Sequence, residues 1–322
     1  MAINNVEIKE PLISFIITDY NISAEMLWEC VDSIMSLNMR DDEREIILID
    51  DGSEVPPVDV VNHYGRLITY FRQPNKGLSG ARNAGMALAK GRYLQFVDGD
   101  DCIIAEVYDK IIEKVKSGAC EDMLMFGESR TDKHGDASAD IRFHHTTARE
   151  FLKKHNLKAS ACGYVFRRSM LGELTFQDGI FHEDELFTSL LMCRVGSMAY
   201  TDSEAYYYRQ REDSITTATT DRHREKRLRD FFSIIVYLHN LTNKAEYGVL
   251  TRRVNQLCMD YIYVVTTLFR DYGILKREIV RMKKAQLYPI PLRRYTMKYL
   301  LFSIITRTEV GLRLFYELVI KR

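Results

Sequence analysis

Two aspartates separated by one glycine follow an apolar run in the first third of the chain. The run RYLQFV occupies residues 92–97, and Asp98-Gly99-Asp100 comes directly after it. Carboxylate oxygens are preferred protein ligands of Mg²⁺ and Mn²⁺, and two of them leave coordination positions open for phosphate oxygens. The spacing therefore predicts a divalent-cation site at Asp98 and Asp100, and the alternative is an ordinary surface turn.

A second acidic group, HEDE, occupies residues 182–185 and follows the turn residues 177–179. A carboxylate in such a group can act as a general base that removes the proton of an attacking hydroxyl. The alternative is that these acids begin a helix over residues 183–193, where the helix dipole stabilises negative charge near the N-terminus. The two interpretations are compatible, so HEDE is a candidate for catalysis as well as for helix initiation.

Two arginines in the run YYYRQR, Arg209 and Arg211, are candidates for binding phosphate. A guanidinium group donates paired hydrogen bonds to phosphate oxygens. The polar stretch at residues 212–221 predicts a lid that closes over a bound ligand. The alternative for both arginines is a solvated basic turn.

The elements that position these residues follow from the alternation of short apolar runs with helical patterns. This alternation predicts an α/β fold with a mostly parallel central sheet flanked by helices. Ligands of such sheets bind at the carboxyl ends of the strands, which here are residues 18–21, 50–53 and 98–101. The predicted strands are residues 12–17, 45–49, 67–71, 92–97 and 122–126.

The charge of the chain is sorted along the sequence, although its 45 basic and 45 acidic residues cancel. Residues 1–221 hold 24 Lys and Arg against 37 Asp and Glu, a net charge of −13, whereas residues 222–322 have a net charge of +13. We therefore predict two modules with different partners, an acidic one over 1–221 and a basic helical one over 222–322. Its predicted helices are residues 224–241, 246–272, 276–285 and 295–320.

The composition favours a cytoplasmic protein. The six cysteines are scattered without a C-x-x-C pair, which predicts reduced and mostly buried thiols. No basic and apolar leader precedes residue 12, and no apolar run reaches the length of a membrane span. The three histidines at 144, 145 and 155 lack metal-ligand spacing and are predicted to be structural or surface residues.

Five blocks together resemble the motifs of the inverting family 2 glycosyltransferases, of the type that builds bacterial polysaccharides and cell-surface glycans. In order, they are SFIITDYN, IILIDDGS, NKGLSGARNAG, GRYLQFVDGDD and HEDELF. The resemblance is close over residues 13–101 and resumes near 160–217. It implies the Rossmann-like GT-A fold with a C-terminal α-helical extension. It also implies metal-dependent transfer of a hexose or an N-acetylhexosamine from a nucleoside diphosphate sugar, usually UDP-linked, to a glycan or lipid-linked acceptor.

The resemblance also implies roles for single residues in binding the donor. Tyr20 stacks on the base, usually uracil, with Thr18 nearby, and Asp50 accepts a hydrogen bond from the base. Arg82 helps to hold the nucleotide, and Asp98 lies near the ribose and the metal. Thr18 stands where the family usually has proline, which changes the geometry at the strand end.

The remaining roles concern the diphosphate and the chemical step. The resemblance implies that Asp100 coordinates Mg²⁺ or Mn²⁺ on the diphosphate and that Arg209 or Arg211 closes over it. Asp184 of the Glu-Asp pair is then the general base. Inversion would convert an α-linked donor into a β-linked product.

Two other functions remain open at this point. A nucleotidyltransferase that makes a sugar nucleotide has a related fold, but it would normally carry a glycine-rich phosphate loop, and residues 12–22 contain no glycine. A non-catalytic binding protein of the same fold would not need the acids Asp98, Asp100 and Asp184.

The basic C-terminal helices predict a partner, without deciding which one. An apolar stripe with lysines and arginines away from it is typical of a helix that lies on an anionic membrane, here at the inner face. The alternative is that the stripe packs on the catalytic domain or on a second copy in a homodimer. Nucleic acid is not expected, because no recognised binding motif accompanies the charge.

Overall fold

The computed structural model describes residues 10–117, 121–131, 141–210 and 221–321. The chain divides into two compact units. Unit 1 consists of Met1–Ala148, Ala159–Gly179 and Leu190–Ser214, and unit 2 of Arg149–Lys158, Ile180–Ser189 and Ile215–Arg322. The domain boundary after residue 221 stays a prediction, because residues 211–220 lie outside the described chain.

Unit 1 is built on a sheet of nine described strands. Along the sheet the order is β3-β2-β1-β4-β8-β6-β9-β5, and β7 pairs with β9. The strands are β1 (Ile13–Asp19), β2 (Arg44–Asp50), β3 (Ile68–Arg72), β4 (Tyr93–Asp98), β5 (Cys102–Ile103), β6 (Met123–Ser129), β7 (His144–Thr147), β8 (Tyr164–Arg167) and β9 (Ser197–Tyr207).

The half of the sheet that carries the motifs SFIITDYN, IILIDDGS and GRYLQFVDGDD is parallel. β1 pairs with β2 on one side and with β4 on the other, and β2 pairs with β3, all in parallel. Every residue of β1 is buried, as expected of a strand covered on both faces. The predicted α/β fold with its mostly parallel central sheet is confirmed.

The far half of the sheet was not predicted in full from the sequence. β8 inserts antiparallel between β4 and β6, and β5 and β7 pair antiparallel with β9. β7 includes His144 and His145, where the sequence analysis predicted no strand. Both histidines are exposed, because β7 lies off the main strand order with its four side chains largely in solvent.

The helices of unit 1 follow the strands in the expected βαβ order. The first of them begins at Ser23, whose Oγ accepts a hydrogen bond from the Met26 amide at 3.4 Å and so caps the helix. The helices are α1 (Ala24–Met35), α2 (Val58–Tyr64), α3 (Gly77–Leu88) and α4 (Ala105–Lys116). They are followed by α5 (Ala148–Lys154) and α6 (Glu183–Met192), both of which have residues in unit 2.

Unit 2 is helical, and α8 contacts α7, α9, α10 and α11. The sequence predicted one helix over 295–320, but the structure has two. Thr308 ends the continuity, because its Oγ accepts a hydrogen bond from the Gly311 amide at 3.0 Å and begins a new helix. The helices are α7 (Asp221–Leu241), α8 (Thr251–Phe269), α9 (Tyr272–Lys284), α10 (Met297–Ile305) and α11 (Glu309–Ile320). Among the described residues, none of the helices has the length and apolarity to cross a bilayer.

Candidate active site

The carboxyl ends of β1, β2 and β4 bring three of the sequence motifs together in unit 1. Asp19 at the end of β1 lies opposite Asp50 of β2, and Thr18 lies opposite Asp98 of β4. Parallel strands end at one edge of a sheet, so neighbouring strands place these side chains side by side. Tyr20 follows β1 directly and is 48% exposed, so its ring is accessible to a ligand.

The turn after β1 is joined to the turn after β2 by hydrogen bonds. The Asn21 amide donates to Ser53 Oγ at 2.9 Å, and Asn21 Oδ1 accepts from the Glu54 amide at 2.7 Å. Asn21 has a φ of 53°, which asparagine tolerates better than most residues. These hydrogen bonds therefore fix the turns after β1 and β2 to each other, next to Tyr20.

Asp50 is fully buried and is surrounded by donors from the protein. Its Oδ1 accepts from the Ser53 amide at 2.7 Å, and its Oδ2 accepts from Tyr70 Oη at 2.8 Å. The Arg72 guanidinium lies 3.3 Å from the same Oδ2. A direct hydrogen bond from a nucleotide base to Asp50 would have to share or replace one of these contacts.

Asp51 organises the loop that leads into α3. Its Oδ1 accepts from Gln73 Nε2 at 2.7 Å and from the Lys76 amide at 2.9 Å, and its Oδ2 accepts from the Gly77 amide at 2.8 Å. A carboxylate that binds the first amides of a helix satisfies donors that have no partner inside the helix. The second aspartate of the D-D-G-S motif is thus a structural residue, a role that the sequence analysis missed.

Asp98 is held by two residues that the sequence also singled out. Arg82 Nη2 donates to Asp98 Oδ1 at 3.0 Å, and Thr18 Oγ donates to the same atom at 3.4 Å. Arg82 is only 4% exposed, and its guanidinium lies 5.3 Å from the centroid of the Phe176 ring. Arg82 therefore orients Asp98, and its predicted contact with the nucleotide stays a prediction.

The backbone after β4 depends on a glycine. The Gly99 amide donates to the Thr18 carbonyl at 3.0 Å, and a Cβ at Gly99 would lie 2.9 Å from that oxygen. Any side chain would force the two strand ends apart. This close approach positions Asp98 and Asp100 on either side of one tight turn.

The end of β9 anchors the same turn. Tyr206 Oη donates to Asp101 Oδ2 at 2.7 Å and accepts from the Asp98 amide at 3.0 Å, while the Arg209 amide donates to Asp101 Oδ1 at 2.8 Å. Burial, together with the negative charges of Asp98 and Asp100, raises the pKa of Asp101 to about 8. Tyr206 and Asp101 were not predicted as site residues, although both lie in motifs that the sequence identified.

The Arg209 side chain is engaged by protein groups. Its Nε donates to the Asp100 carbonyl at 2.9 Å, and its Nη2 pairs with the Glu29 carboxylate of α1. Arg209 therefore lies at the turn after β4, and its predicted contact with a diphosphate stays a prediction. Arg211 lies outside the described residues.

α3 also holds the segment that precedes the acidic group. Asn83 Nδ2 donates to the Phe176 carbonyl at 2.9 Å, and Asn83 Oδ1 accepts from the Phe176 amide at 2.8 Å. Ser79 Oγ donates to the Gln177 carbonyl at 2.8 Å. The NKGLSGARNAG block, most of which lies in α3, thus also fixes residues 176–177 within unit 1.

Asp184 lies in unit 2, in the first turn of α6. Its Oδ1 accepts from the Glu185 amide at 2.8 Å, as expected of an acid near a helix N-terminus. Glu185 pairs with the buried Arg253 guanidinium of α8, which fixes the start of α6 within unit 2. Burial and the positive charge of Arg227 lower the pKa of the preceding His182 to about 4, so His182 is neutral at pH 7.

The chemistry of the turn after β4 fits a divalent cation. Asp98 and Asp100 are partly exposed hard-oxygen donors, and their charges already disfavour ionisation of Asp101. Within the described residues, no group of three or more His, Cys, Asp or Glu side chains could hold a metal. Mg²⁺ is commonly bound by one or two carboxylates together with substrate phosphates, so two aspartates satisfy the protein's share of such a site.

The family comparison covers most of this site. The model for "Glycosyl transferase family 2" matches residues 14–175, which include β1, β2, β4 and the turn after β4. Asp184 and Arg209 lie beyond the matched segment.

Curated relatives match about two thirds of the chain. The glycosyltransferase EpsJ of Bacillus subtilis is 27% identical over 220 residues, which are 64% of this chain and 63% of EpsJ. The minor teichoic acid biosynthesis protein GgaB of the same organism is 25% identical over 218 residues, which are 64% of this chain and 24% of GgaB. In each case the match spans less than two thirds of the relative.

Solved structures show the same fold. The crystal structure of S. aureus TarS 1–349 in complex with UDP-GlcNAc has a TM-score of 0.60 and 19% identity, and the match covers 80% of this chain and 83% of that one. The complex of the same TarS segment with UDP has a TM-score of 0.55 and 17% identity, with 86% and 89% covered. The GT-A fold expected from the sequence is therefore confirmed.

Proposed function

The chain belongs to glycosyl transferase family 2, and we propose that it is a metal-assisted, inverting glycosyltransferase. Its donor would be a UDP-linked hexose or N-acetylhexosamine, and its acceptor a hydroxyl group of a glycan or of a lipid-linked glycan. The observation that carries this proposal is the strand-end cluster in which Arg82 and Thr18 both donate to Asp98, beside Asp100 and the exposed Tyr20.

Each side chain of the cluster has a task in binding the donor. Tyr20 offers an exposed ring on which a uracil base can stack. Asp98 and Asp100 would hold Mg²⁺ or Mn²⁺, which as a Lewis acid stabilises negative charge on a departing diphosphate. Arg82 keeps Asp98 in place and balances part of its charge before any cation binds. Support for UDP comes from TarS, a protein of the same fold that was solved with UDP-GlcNAc and with UDP.

Asp184 is the proposed general base. It would accept the proton of the acceptor hydroxyl while that oxygen forms a bond to the anomeric carbon. The bond between this carbon and the diphosphate oxygen breaks on the opposite side, and its electron pair leaves with the diphosphate. This displacement inverts the configuration, so an α-linked donor gives a β-linked product.

The acceptor and the location of the protein are proposed from the relatives and the cysteines. GgaB is named for teichoic acid biosynthesis, and another relative is a poly(ribitol-phosphate) beta-glucosyltransferase, so glycan acceptors are expected. Among the described residues, Cys30, Cys102, Cys162 and Cys258 form no disulfide, which supports a reducing, cytoplasmic environment.

A panel of nucleotide sugars tests the donor and the metal. We expect nucleotide release from a UDP-sugar in the presence of Mn²⁺ or Mg²⁺, and loss of this release with a chelator. Asp100→Asn should reduce release to background and remove the rise in melting temperature caused by UDP with Mn²⁺. Asp59→Asn, which changes an exposed carboxylate on α2, is the matched control. Metal-independent release, or release of pyrophosphate from a nucleoside triphosphate, would contradict the proposal.

The base is tested by a second pair of variants. Asp184→Asn should lower kcat by about 10²–10⁴-fold, the range expected for loss of a general base. The rise in melting temperature with UDP and Mn²⁺ should remain, because donor binding does not need this carboxylate. Glu183→Gln changes the adjacent carboxylate on the same turn and should have a much smaller effect. Equal losses in both variants would exclude Asp184 as the specific base.

A further inference from the structure

The last two helices of unit 2 expose large apolar side chains in rows. On α11, Val310, Leu314 and Leu318 are 82%, 54% and 58% exposed, and their spacing of four places them on one face. On α10, Met297, Leu301 and Ile304 are also exposed. These six residues are called the C-terminal apolar surface below.

Poor packing of the two helices does not explain this exposure. Their other sides are occupied, since Tyr299, Ser303 and Leu312 are buried and the rings of Phe302 and Phe315 meet edge to face at 5.0 Å. α10 and α11 also contact each other and α8. Each helix thus has one side used in folding and a second apolar side left in solvent, although exposed apolar surface of this extent is disfavoured unless something covers it.

The segment that carries the C-terminal apolar surface is basic. Residues 290–321 contain six basic and two acidic residues, a net charge of +4. Both acids are already neutralised, since Glu309 pairs with Lys276 at 2.9 Å and Glu317 with Arg313 at 3.6 Å. Arg293, Arg294 and Lys298 are exposed and, among the described residues, form no ion pair.

The charge decides between two occupants of this surface. In a symmetric dimer the same patch faces itself, so two surfaces of net charge +4 would be brought together and would repel. An anionic phospholipid surface offers apolar chains for the exposed side chains and negative headgroups for the cations. We propose that the C-terminal apolar surface binds the surface of a membrane that contains anionic phospholipid. This binding requires no donor, acceptor or catalytic residue, so it stands or falls independently of the proposed activity.

Vesicle sedimentation with the full chain tests the proposal. Vesicles of phosphatidylcholine and phosphatidylglycerol in equal parts should pellet the protein, and vesicles of phosphatidylcholine alone should pellet much less. Raised salt should weaken the binding, because exposed charges are screened. Arg293→Gln with Arg294→Gln should weaken binding to the anionic vesicles by roughly fivefold for each residue removed.

A matched pair of double variants tests whether the apolar side chains insert. Val310→Ser with Leu314→Ser should lower the vesicle affinity by about tenfold or more. Val55→Ser with Val58→Ser removes apolar side chains of equal exposure in unit 1, 82% and 53%, and should leave the affinity unchanged. All four positions are exposed, so both variants should fold, which circular dichroism checks.

Three results would overturn the proposal. The first is equal sedimentation with and without anionic vesicles. The second is an equal loss of affinity in the unit 1 control and in the α11 variant. The third is a dimer in analytical ultracentrifugation that the Val310 and Leu314 substitutions dissociate, because a second copy would then be the occupant.

Discussion

Residues of one chemical type have different tasks at the edge of the sheet. Asp98 is partly exposed and oriented by Arg82. Asp51 is buried, and both of its carboxylate oxygens accept hydrogen bonds, from two backbone amides and from Gln73. Asp101 is also buried, and Tyr206 and the Arg209 amide hold it. Only the partly exposed aspartates can offer oxygen atoms to a ligand. Burial and hydrogen bonding, more than residue type, therefore separate the candidate ligand-binding acids from the structural ones.

Asp19 is a buried acid whose ionisation should oppose folding. Burial and the negative charge of Asp50 raise its pKa to about 6, although the Ile22 amide and the Ser53 hydroxyl donate to it at 3.2 and 3.4 Å. The pKa in the unfolded chain is near 3.8. Its contribution to stability is thus complete below pH 3.8 and is lost as the pH rises through 6, by about 3 kcal/mol in total.

Asp19→Asn should remove this pH dependence. Asparagine has the same shape and can still accept from the Ile22 amide, so we expect equal stability of variant and parent at pH 4. At pH 7 the variant should be more stable by up to about 3 kcal/mol. Urea unfolding at pH 4, 5, 6 and 7 measures this difference, with Asp59→Asn as the exposed control. A difference between variant and parent that is constant with pH would show that Asp19 is not the titrating group.

Among the helices and strands, the sequence predicts those that have a clear local pattern of apolar residues. The five predicted strands correspond to β1, β2, β3, β4 and β6. β1, β2, β4 and β6 are mostly buried and contain apolar runs, whereas β3 is largely exposed. The short strands β5, β7 and β8 carry no such signal, since their pairing depends on contacts distant in sequence. The break between α10 and α11 is set by a threonine cap, which an apolar stripe does not reveal.

The candidate site was predicted to a similar degree. The motifs located Thr18, Tyr20, Asp50 and Asp98 at strand ends that the structure brings together in unit 1. The sequence could not show that Arg82 reaches Asp98 at 3.0 Å. Spacing identifies residue types that bind or react, whereas the residues that orient them are found only from three-dimensional contacts.

The loop after β2 depends on a glycine for two separate reasons. Gly52 has a φ of 83°, and a Cβ there would lie 2.9 Å from the Asn75 amide nitrogen and 3.2 Å from the Gln73 carbonyl oxygen. These are backbone atoms, which cannot rotate away. Gly179 has a similar φ of 73°, but within the part of the chain that the structure describes, a Cβ there would meet no atom within 4 Å.

Alanine substitutions at Gly179 and Gly52 separate the free-energy cost of the left-handed backbone from the cost of the steric contact that the added methyl group makes. Gly179→Ala should destabilise the protein by about 1–2 kcal/mol, the cost of a left-handed backbone for alanine. Gly52→Ala should destabilise it by a further 1–3 kcal/mol or so, because the loop must move to accept the methyl group. Thermal unfolding of both variants measures the difference. Equal destabilisation would mean that the loop accommodates the methyl group without strain.

At the scale of the whole molecule, the net charge of zero is the sum of an acidic part, residues 1–221, and a basic part, residues 222–322. The acidic part of the chain includes the aspartates that would gather a cation, together with the buried Asp51 and Asp101. The basic part includes the exposed Arg293 and Arg294, in the same segment as the C-terminal apolar surface. A single average such as net charge therefore says little about this protein, and properties of each unit should be measured separately.

The two units also contain buried groups whose pH effects have opposite signs. Asp19 in unit 1 makes the protein less stable as the pH rises from 4 to 6. His182 in unit 2 has its pKa lowered from 6.5 to about 4, so the unfolded chain binds its proton first. The stability that His182 contributes is complete above pH 6.5 and is lost as the pH falls through 4, again by about 3 kcal/mol.

Between pH 4 and 6.5 the contributions of Asp19 and His182 have opposite signs and partly offset each other, whereas the raised pKa of Asp101 adds to the loss of stability as the pH rises. The gain in stability of His182→Asn over the parent should be larger at pH 4 than at pH 7, whereas that of Asp19→Asn should be larger at pH 7 than at pH 4. Asparagine tolerates the φ of 62° at position 182. Asp19 and His182 share no hydrogen-bond partner among the described residues, so the double variant should show the sum of the single effects within about 0.5 kcal/mol. Urea unfolding of the parent, the two single variants and the double variant at pH 4, 5.5 and 7 measures the free energies of unfolding that this comparison needs. A clearly larger deviation from the sum would show that the two units are energetically coupled.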